Sequence, residues 1–153
     1  MKTATPPLSA CIATLFAALI PVLSYAEVIN IDNAELARLT AKGVPIIDIR
    51  TAGEWKSTGV IPGSKLLTFF DEKGNANPVQ WLASAKGIAK PDQPVILICR
   101  SGNRTRAATQ FLSDQAGYKT VYNVSSGLNG WLSEKRAVVP ATTTMTCSPG
   151  VPC

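Results

Sequence analysis

The sequence predicts an α/β domain of three layers, in which a central, mostly parallel sheet of five strands lies between helices. Short apolar runs rich in Val, Ile and Leu alternate along the chain with stretches of helical spacing. Continuous apolar runs of this kind are typical of strands that are covered on both faces, as in a parallel sheet. At 153 residues, the chain has enough material for one domain with a substantial core.

Each element has its own signal along the chain. A capping residue, Asp32 or Asn33, begins the first helix and Gly43 ends it, while a Gly- and Pro-containing turn at 59–63 separates the second helix from the third strand. The predicted strands are 28–31, 45–50, 65–67, 95–98 and 120–123. The predicted helices are 34–39, 51–57, 79–86, 105–112 and 128–136.

The first 26 residues have the organisation of a secretory signal. Lys2 precedes an apolar stretch that contains no acidic residue, and the stretch ends in the small residues of a cleavage site at Ala26. Pro21 interrupts the stretch and argues against a membrane-spanning helix, with an uncleaved anchor as the alternative. We predict a periplasmic or secreted protein without stable membrane insertion after cleavage. Its segments are a signal peptide at 1–26, a folded domain at 27–138 and a Thr-, Pro- and Cys-containing tail at 139–153.

Charge and composition disfavour several classes of function. The net charge is +5, and the basic residues are scattered rather than arranged in a stripe between aromatics, which disfavours nucleic-acid binding. A modest positive charge suits a small anionic substrate. The chain contains no histidine, which removes Ser-His-Asp and Cys-His catalysis together with the usual zinc sites. We therefore predict no metal and no cofactor.

The most informative segment is the loop at 99–104, between the fourth strand and the fourth helix. Cys99 lies at the C-terminal end of a predicted parallel strand and over a helix N-terminus, where backbone N–H groups converge. Such surroundings favour the thiolate, which is the nucleophilic form of cysteine. We predict Cys99 as the catalytic residue. The predicted substrate-binding residues are Arg100, Ser101, Gly102, Asn103, Arg104 and Arg50.

The roles of the charged residues near the strand ends stay open at this point. Asp48 would be costly to bury unpaired, so we expect it to accept backbone hydrogen bonds or to pair with an arginine. Arg50 is a candidate for substrate contact, for an ion pair or for a solvated surface position. Arg100 is expected to attract anions. Arg104 could bind anions or hold the loop in shape by bonding carbonyl groups.

The tail contains two of the three cysteines that would remain after signal cleavage. Cys147 and Cys153 are close in sequence, and an exported location permits disulfides, so we predict a small looped disulfide between them. A resolving or acceptor role in thiol exchange is the alternative. Cys99 would then be the unpaired thiol.

Three groups of residues, in the right order and spacing, resemble the single-domain rhodaneses, which are thiosulfate-type sulfurtransferases. The resemblance covers residues 28–137 and rests on 47–55 with 59–64, on 99–104, and on 121–124 with 127–131. One position departs from the family pattern, because a histidine, usually regarded as structural, commonly stands where this chain has Val60.

The resemblance implies a rhodanese-like three-layer fold and a ping-pong reaction. The Cys99 thiolate would take the outer sulfur of a donor such as thiosulfate, and the loop amides would stabilise the resulting persulfide. Cyanide or a thiol would then remove the sulfur. We expect a monomer whose partners are a small anionic sulfur donor and a thiophilic acceptor.

Loop length separates this chain from two relatives of the same fold. Rhodanese-like phosphatases and arsenate reductases place five residues between the cysteine and the arginine, whereas four separate Cys99 from Arg104. The smaller ring favours sulfur over a tetrahedral oxyanion. Phosphate or arsenate chemistry and a non-catalytic sulfur-carrier or partner-binding module are the alternatives.

Overall fold

The computed structural model describes residues 1, 26–151 and 153. Its strands β1 to β5 are Glu27–Ile31, Ile46–Asp48, Lys65–Leu66, Val95–Ile98 and Thr120–Val124. Its helices α1 to α5 are Asn33–Ala41, Ala52–Thr58, Pro78–Ile88, Asn103–Asp114 and Gly127–Ser133. The predicted α/β class and all ten predicted elements are confirmed, with shifts of a few residues at their ends.

The five described strands form one sheet in the order β1-β5-β4-β2-β3. Every neighbouring pair within it is parallel. Strand β4 therefore lies in the middle, between β2 and β5, and the C-terminal ends of these three strands meet at one edge. Ligands of parallel α/β sheets bind at this edge.

Side-chain caps explain where the first three helices begin. The Asp32 carboxylate accepts a hydrogen bond of 2.8 Å from the backbone N–H of Glu35 at the start of α1. Thr51 and Glu54 form a capping box at the start of α2. Asn77 caps α3, whose first residue, Pro78, has no N–H to satisfy. These caps satisfy backbone donors that would otherwise have no partner.

The alternation of side chains along the strands divides the core into two layers. On β4, Val95 and Leu97 pack against one apolar cluster with Ala108 and Leu112 of α4. The intervening Ile96 and Ile98 belong to the cluster on the other face of the sheet, with residues of α1 and α5. The layered packing accounts for the uninterrupted apolar sequence of β4.

The tail at 139–153 packs against the domain. Its composition predicts an extended segment but does not predict these contacts. Val60 and Val139 exchange two backbone hydrogen bonds of 2.9 Å. The N–H of Cys147 donates to the carbonyl of Leu66 over 2.8 Å, so the tail covers the outer edge of β3. Apolar residues of the tail also pack on Trp55. The edge strand thus gains partners that composition alone does not reveal.

The predicted signal peptide falls almost entirely on residues 2–25, which lie outside the described residues. Among the described helices, none is both long and apolar enough to cross a membrane.

Candidate active site

Cys99 lies directly after β4, at the centre of the edge where the strand ends meet. The period of two along the strand places its side chain on the same face as Val95 and Leu97, beneath α4. The side chain is fully buried. In this conformation Sγ is therefore covered by the groups around the loop.

Two groups from the loop and from α4 contact the sulfur. The backbone N–H of Gly102 donates to Cys99 Sγ over 3.2 Å. The hydroxyl oxygen of Thr105 lies 3.6 Å from the same sulfur, and this hydroxyl donates to the carbonyl of Gly102 over 2.8 Å. Because the Thr105 hydroxyl proton goes to the Gly102 carbonyl, the donor that meets a negative charge on sulfur is the Gly102 N–H, and neither a histidine nor a metal ligand takes part.

Helix α5 holds the loop in the shape that turns one amide toward the sulfur. The backbone N–H of Leu128 donates to the carbonyl of Cys99 over 2.8 Å, and that of Asn129 donates to the carbonyl of Arg100 over 3.0 Å. These bonds satisfy the first amides of α5, which have no partner within the helix. With both carbonyls drawn to α5, the loop is free to direct an amide at the sulfur.

Two glycines allow the loop and the start of α5 to interlock. Gly102 has a φ of +83°, and a Cβ there would overlap the carbonyl of Ser125. Gly127 has a φ of +58°, and a Cβ there would lie 2.5 Å from the carbonyl carbon of Arg100. Any other residue at these two positions would meet both an unfavourable backbone conformation and a backbone clash.

Arg104 binds a carboxylate that the sequence analysis did not assign to the site. Its Nη1 and Nη2 donate to the two carboxylate oxygens of Glu54 over 2.8 Å and 2.5 Å. Glu54 also accepts a 3.0 Å hydrogen bond from the N–H of Thr51 as part of the capping box of α2. Arg104 thus binds a carboxylate rather than loop carbonyls, and its predicted contact with an anion stays a prediction. It connects α4 to α2 in a two-point ion pair.

The pKa values of this pair follow from their surroundings. Burial by itself raises the pKa of Glu54, but the hydrogen bonds from Arg104 and Thr51 and the positive charges of Arg104 and Arg50 outweigh it and lower the pKa to about 2. The hydrogen bonds that Arg104 donates to Glu54 raise the pKa of Arg104 against the opposing effect of burial. Both groups are therefore charged at neutral pH.

The geometry of Arg50 favours an ion pair over the predicted contact with substrate. Its side chain is 1% exposed and binds Asp48, with Nη2 donating to Oδ2 over 2.6 Å. The remaining guanidinium donors reach the hydroxyl of Thr58 and the carbonyl of Gly59. Because its hydrogen-bonding capacity is used inside the protein, Arg50 serves to join the end of β2 to the end of α2. This is the ion-pair alternative of the sequence analysis.

The other predicted substrate-binding side chains, those of Arg100, Ser101 and Asn103, are exposed around the loop. With the described residues, Arg100 forms no ion pair. The tail cysteines lie elsewhere, beside β3, where Cys147 and Cys153 form a disulfide with Cα atoms 5.3 Å apart. The structure thus brings Cys99 together with the loop and keeps the disulfide apart from it.

Sequence reasoning missed five contributors to the site: Glu54, Thr105, Ser125, Leu128 and Asn129. Four of them act through pairings between segments that are distant in sequence, which no local pattern reveals. A partial signal existed, since Glu54, Leu128 and Asn129 belong to the segments that carry the family resemblance.

The comparisons with known proteins agree with this geometry. The rhodanese-like domain family matches residues 32–134, about two thirds of the chain. The chain belongs to the rhodanese-like domain family. The match supports sulfurtransferase activity at the level of the family.

Two bacterial relatives and one solved structure illustrate the similarity. The thiosulfate sulfurtransferase GlpE of Shewanella oneidensis is 33% identical over 98 residues, which cover 63% of this chain and 85% of that protein. GlpE of Pseudoalteromonas translucida is 31% identical over 96 residues, with 63% and 80% covered. The crystal structure of a rhodanese-related protein from Thermoplasma volcanium aligns with a TM-score of 0.57 and 27% identity over 74% of this chain and 99% of that one.

Proposed function

We propose that this protein is a thiosulfate-type sulfurtransferase that carries sulfur as a persulfide on Cys99. The thiolate attacks the outer sulfur of thiosulfate, a new bond forms between Sγ and that sulfur, and the bond to the sulfonate sulfur breaks. Its electron pair leaves with sulfite. In the second half-reaction, cyanide attacks the outer persulfide sulfur, thiocyanate leaves, and the Cys99 thiolate returns; a thiol can accept the sulfur in the same way.

The hydrogen bond from the Gly102 N–H to Cys99 Sγ carries this proposal. A thiolate and a persulfide both place negative charge inside the loop, and a fixed amide stabilises that charge with little reorganisation. The persulfide adds one sulfur atom rather than a tetrahedral group, which agrees with a ring of four residues between Cys99 and Arg104. The two GlpE relatives, named as thiosulfate sulfurtransferases, support the choice of donor.

Sulfur loading is measured directly by the intact mass of the protein. After incubation with thiosulfate the mass is expected to rise by about 32 Da, and cyanide is expected to remove the increment. Cys99→Ser should show no increment. A wild-type protein that gains no mass with any sulfane donor would exclude the proposal.

Two other results would redirect the assignment. Turnover of an aryl phosphate that depends on Cys99 would favour phosphatase chemistry despite the short loop. Partner binding that persists in Cys99→Ala, together with negligible sulfur turnover in the wild type, would favour a non-catalytic binding module.

We also propose that the protein is exported and acts in the periplasm or outside the cell. The support is the signal-like sequence of residues 1–26 and the disulfide between Cys147 and Cys153, since oxidising compartments favour such bonds. N-terminal sequencing of the protein from its native host should begin at Glu27. An intact N-terminus in the cytoplasmic fraction would contradict export.

A further inference from the structure

Arg104 follows the Cys99 loop directly in sequence and pairs with Glu54, while the backbone of the loop has supports of its own. The loop is already held by the bonds from Leu128 and Asn129 to its carbonyls. Thr105 closes its other side through the bond to Gly102. Removing the carboxylate of Glu54 therefore changes the charge near Cys99 more than it changes the backbone.

Near the loop, the Glu54 carboxylate offsets the positive charge of one of two arginines. Arg100 is exposed and without an ion-pair partner among the described residues, whereas the two-point contact with Glu54 offsets the charge of Arg104. The contact with Glu54 uses one N–H of Nη1 and one of Nη2, so the Nε N–H and the second N–H of each Nη have no hydrogen-bond partner among the described residues. An anion at the loop thus meets Arg100, whose charge no described carboxylate offsets in an ion pair, and Arg104, whose charge Glu54 offsets.

We propose that Glu54 sets the strength with which the Cys99 loop prefers anionic reagents over neutral ones, by neutralising Arg104. Glu54 is then a positioning and specificity-determining residue that acts through Arg104 rather than on the substrate. For sulfur donors, this inference rests on the proposed sulfurtransferase function. For the reactivity of Cys99 toward other reagents, the inference is independent of that function.

Alkylation separates the electrostatic role from turnover. Iodoacetate and iodoacetamide both place a carbon on the Cys99 thiolate and release iodide, but the first is an anion and the second is neutral. The measured quantity is the rate constant for iodoacetate divided by that for iodoacetamide, both followed by the mass of the Cys99 peptide after reaction of the full chain. This ratio reports the local charge. Differences in thiolate content and in access affect both reagents and therefore cancel.

Four variants are expected to raise, lower or preserve this ratio. Glu54→Gln should raise it about threefold to tenfold, the size expected when the charge near a partly exposed site changes by one unit. Arg104→Gln should lower it by a similar factor. The double variant Glu54→Gln/Arg104→Gln should return near the wild-type value. Glu72→Gln removes the same charge from an exposed carboxylate near Gly53 that does not bind Arg104, and should change the ratio little.

Salt and thiosulfate supply the remaining tests. The effect of Glu54→Gln should shrink at high ionic strength because exposed charges are screened. The KM for thiosulfate should fall in this variant in parallel with the rise in the ratio. An unchanged ratio in Glu54→Gln, or an equal rise in the double variant, would overturn the inference. A wild type that takes up no sulfur would instead overturn the proposed function, and the alkylation ratio would still be measurable.

Discussion

Arg50 and Arg104 invite comparison, because each follows a central strand within a few residues and each binds a carboxylate through more than one nitrogen. The side chains of Arg50 and Asp48 are both 1% exposed. Those of Arg104 and Glu54 are 30% and 25% exposed. The two pairs have the same chemistry and differ chiefly in their access to water.

This difference decides what each pair contributes. Two charges removed from water depend on each other, so losing one partner leaves the other uncompensated and strongly destabilises the fold. A pair that water still reaches contributes little to stability. Burial thus makes Arg50 a structural residue, while partial exposure beside Cys99 leaves Arg104 able to influence the site through its charge.

The largest expected effect comes from breaking the buried pair. Arg50→Met should lower the free energy of unfolding by about 3–5 kcal/mol, since Asp48 would stay buried without its partner. Urea unfolding measures the loss. The double variant Asp48→Leu/Arg50→Met removes both charges and should regain most of the stability. A loss below about 1 kcal/mol in the single variant would show that the pair is not the structural element described.

The next effect tests whether backbone contacts, rather than Arg104, shape the loop. Gly127→Ala should lower the free energy of unfolding by about 2–3 kcal/mol, because the new Cβ strains the backbone and meets Arg100. Displacing the loop should also slow sulfur loading at least about tenfold.

Gly43→Ala is the matched control for that variant. Gly43 also has a positive φ, of +84°, but a Cβ there would meet nothing within 4 Å. It should show the cost of backbone strain alone, about 1 kcal/mol, with unchanged loading. Equal loading rates in the two variants would contradict the interlock between the loop and α5.

Breaking the exposed pair should cost much less than breaking the buried one. Glu54→Gln should lower the free energy of unfolding at neutral pH by no more than about 1 kcal/mol, because solvent screens the pair. Urea unfolding under the conditions used for Arg50→Met gives the comparison. Similar losses of unfolding free energy in Glu54→Gln and Arg50→Met would show that burial does not distinguish the two ion pairs.

The smallest expected effect is the pH dependence of the stability that the Glu54–Arg104 pair contributes. The pKa of Glu54 is lowered from its ordinary value of 4.5 to about 2. A lowered carboxyl pKa gives stability that is fully present above the unfolded-state pKa and is lost as pH falls through the folded-state pKa. The difference in stability between wild type and Glu54→Gln should therefore be constant above about pH 5 and shrink toward pH 2. A difference that grows on acidification would contradict this sign.

Local patterns predicted most of the fold and part of the site. Asp32 and Gly43 bound α1 because capping and left-handed backbone are properties of neighbouring residues. Cys99 could be predicted because a strand and a helix flank it directly in sequence. The role of Arg104 could not, because its partner Glu54 is 50 residues away.

The alternation of strands and helices, read from sequence alone, determined the α/β class, the ten elements and the position of Cys99 at the end of β4. The tertiary structure alone decided which arginine is buried, which carboxylate binds Arg104, how α5 turns the loop amide toward Cys99, and where the tail lies. The physical reason is range. Periodicity and capping act over a few residues, whereas burial and ion pairing depend on segments that meet only after the chain has folded.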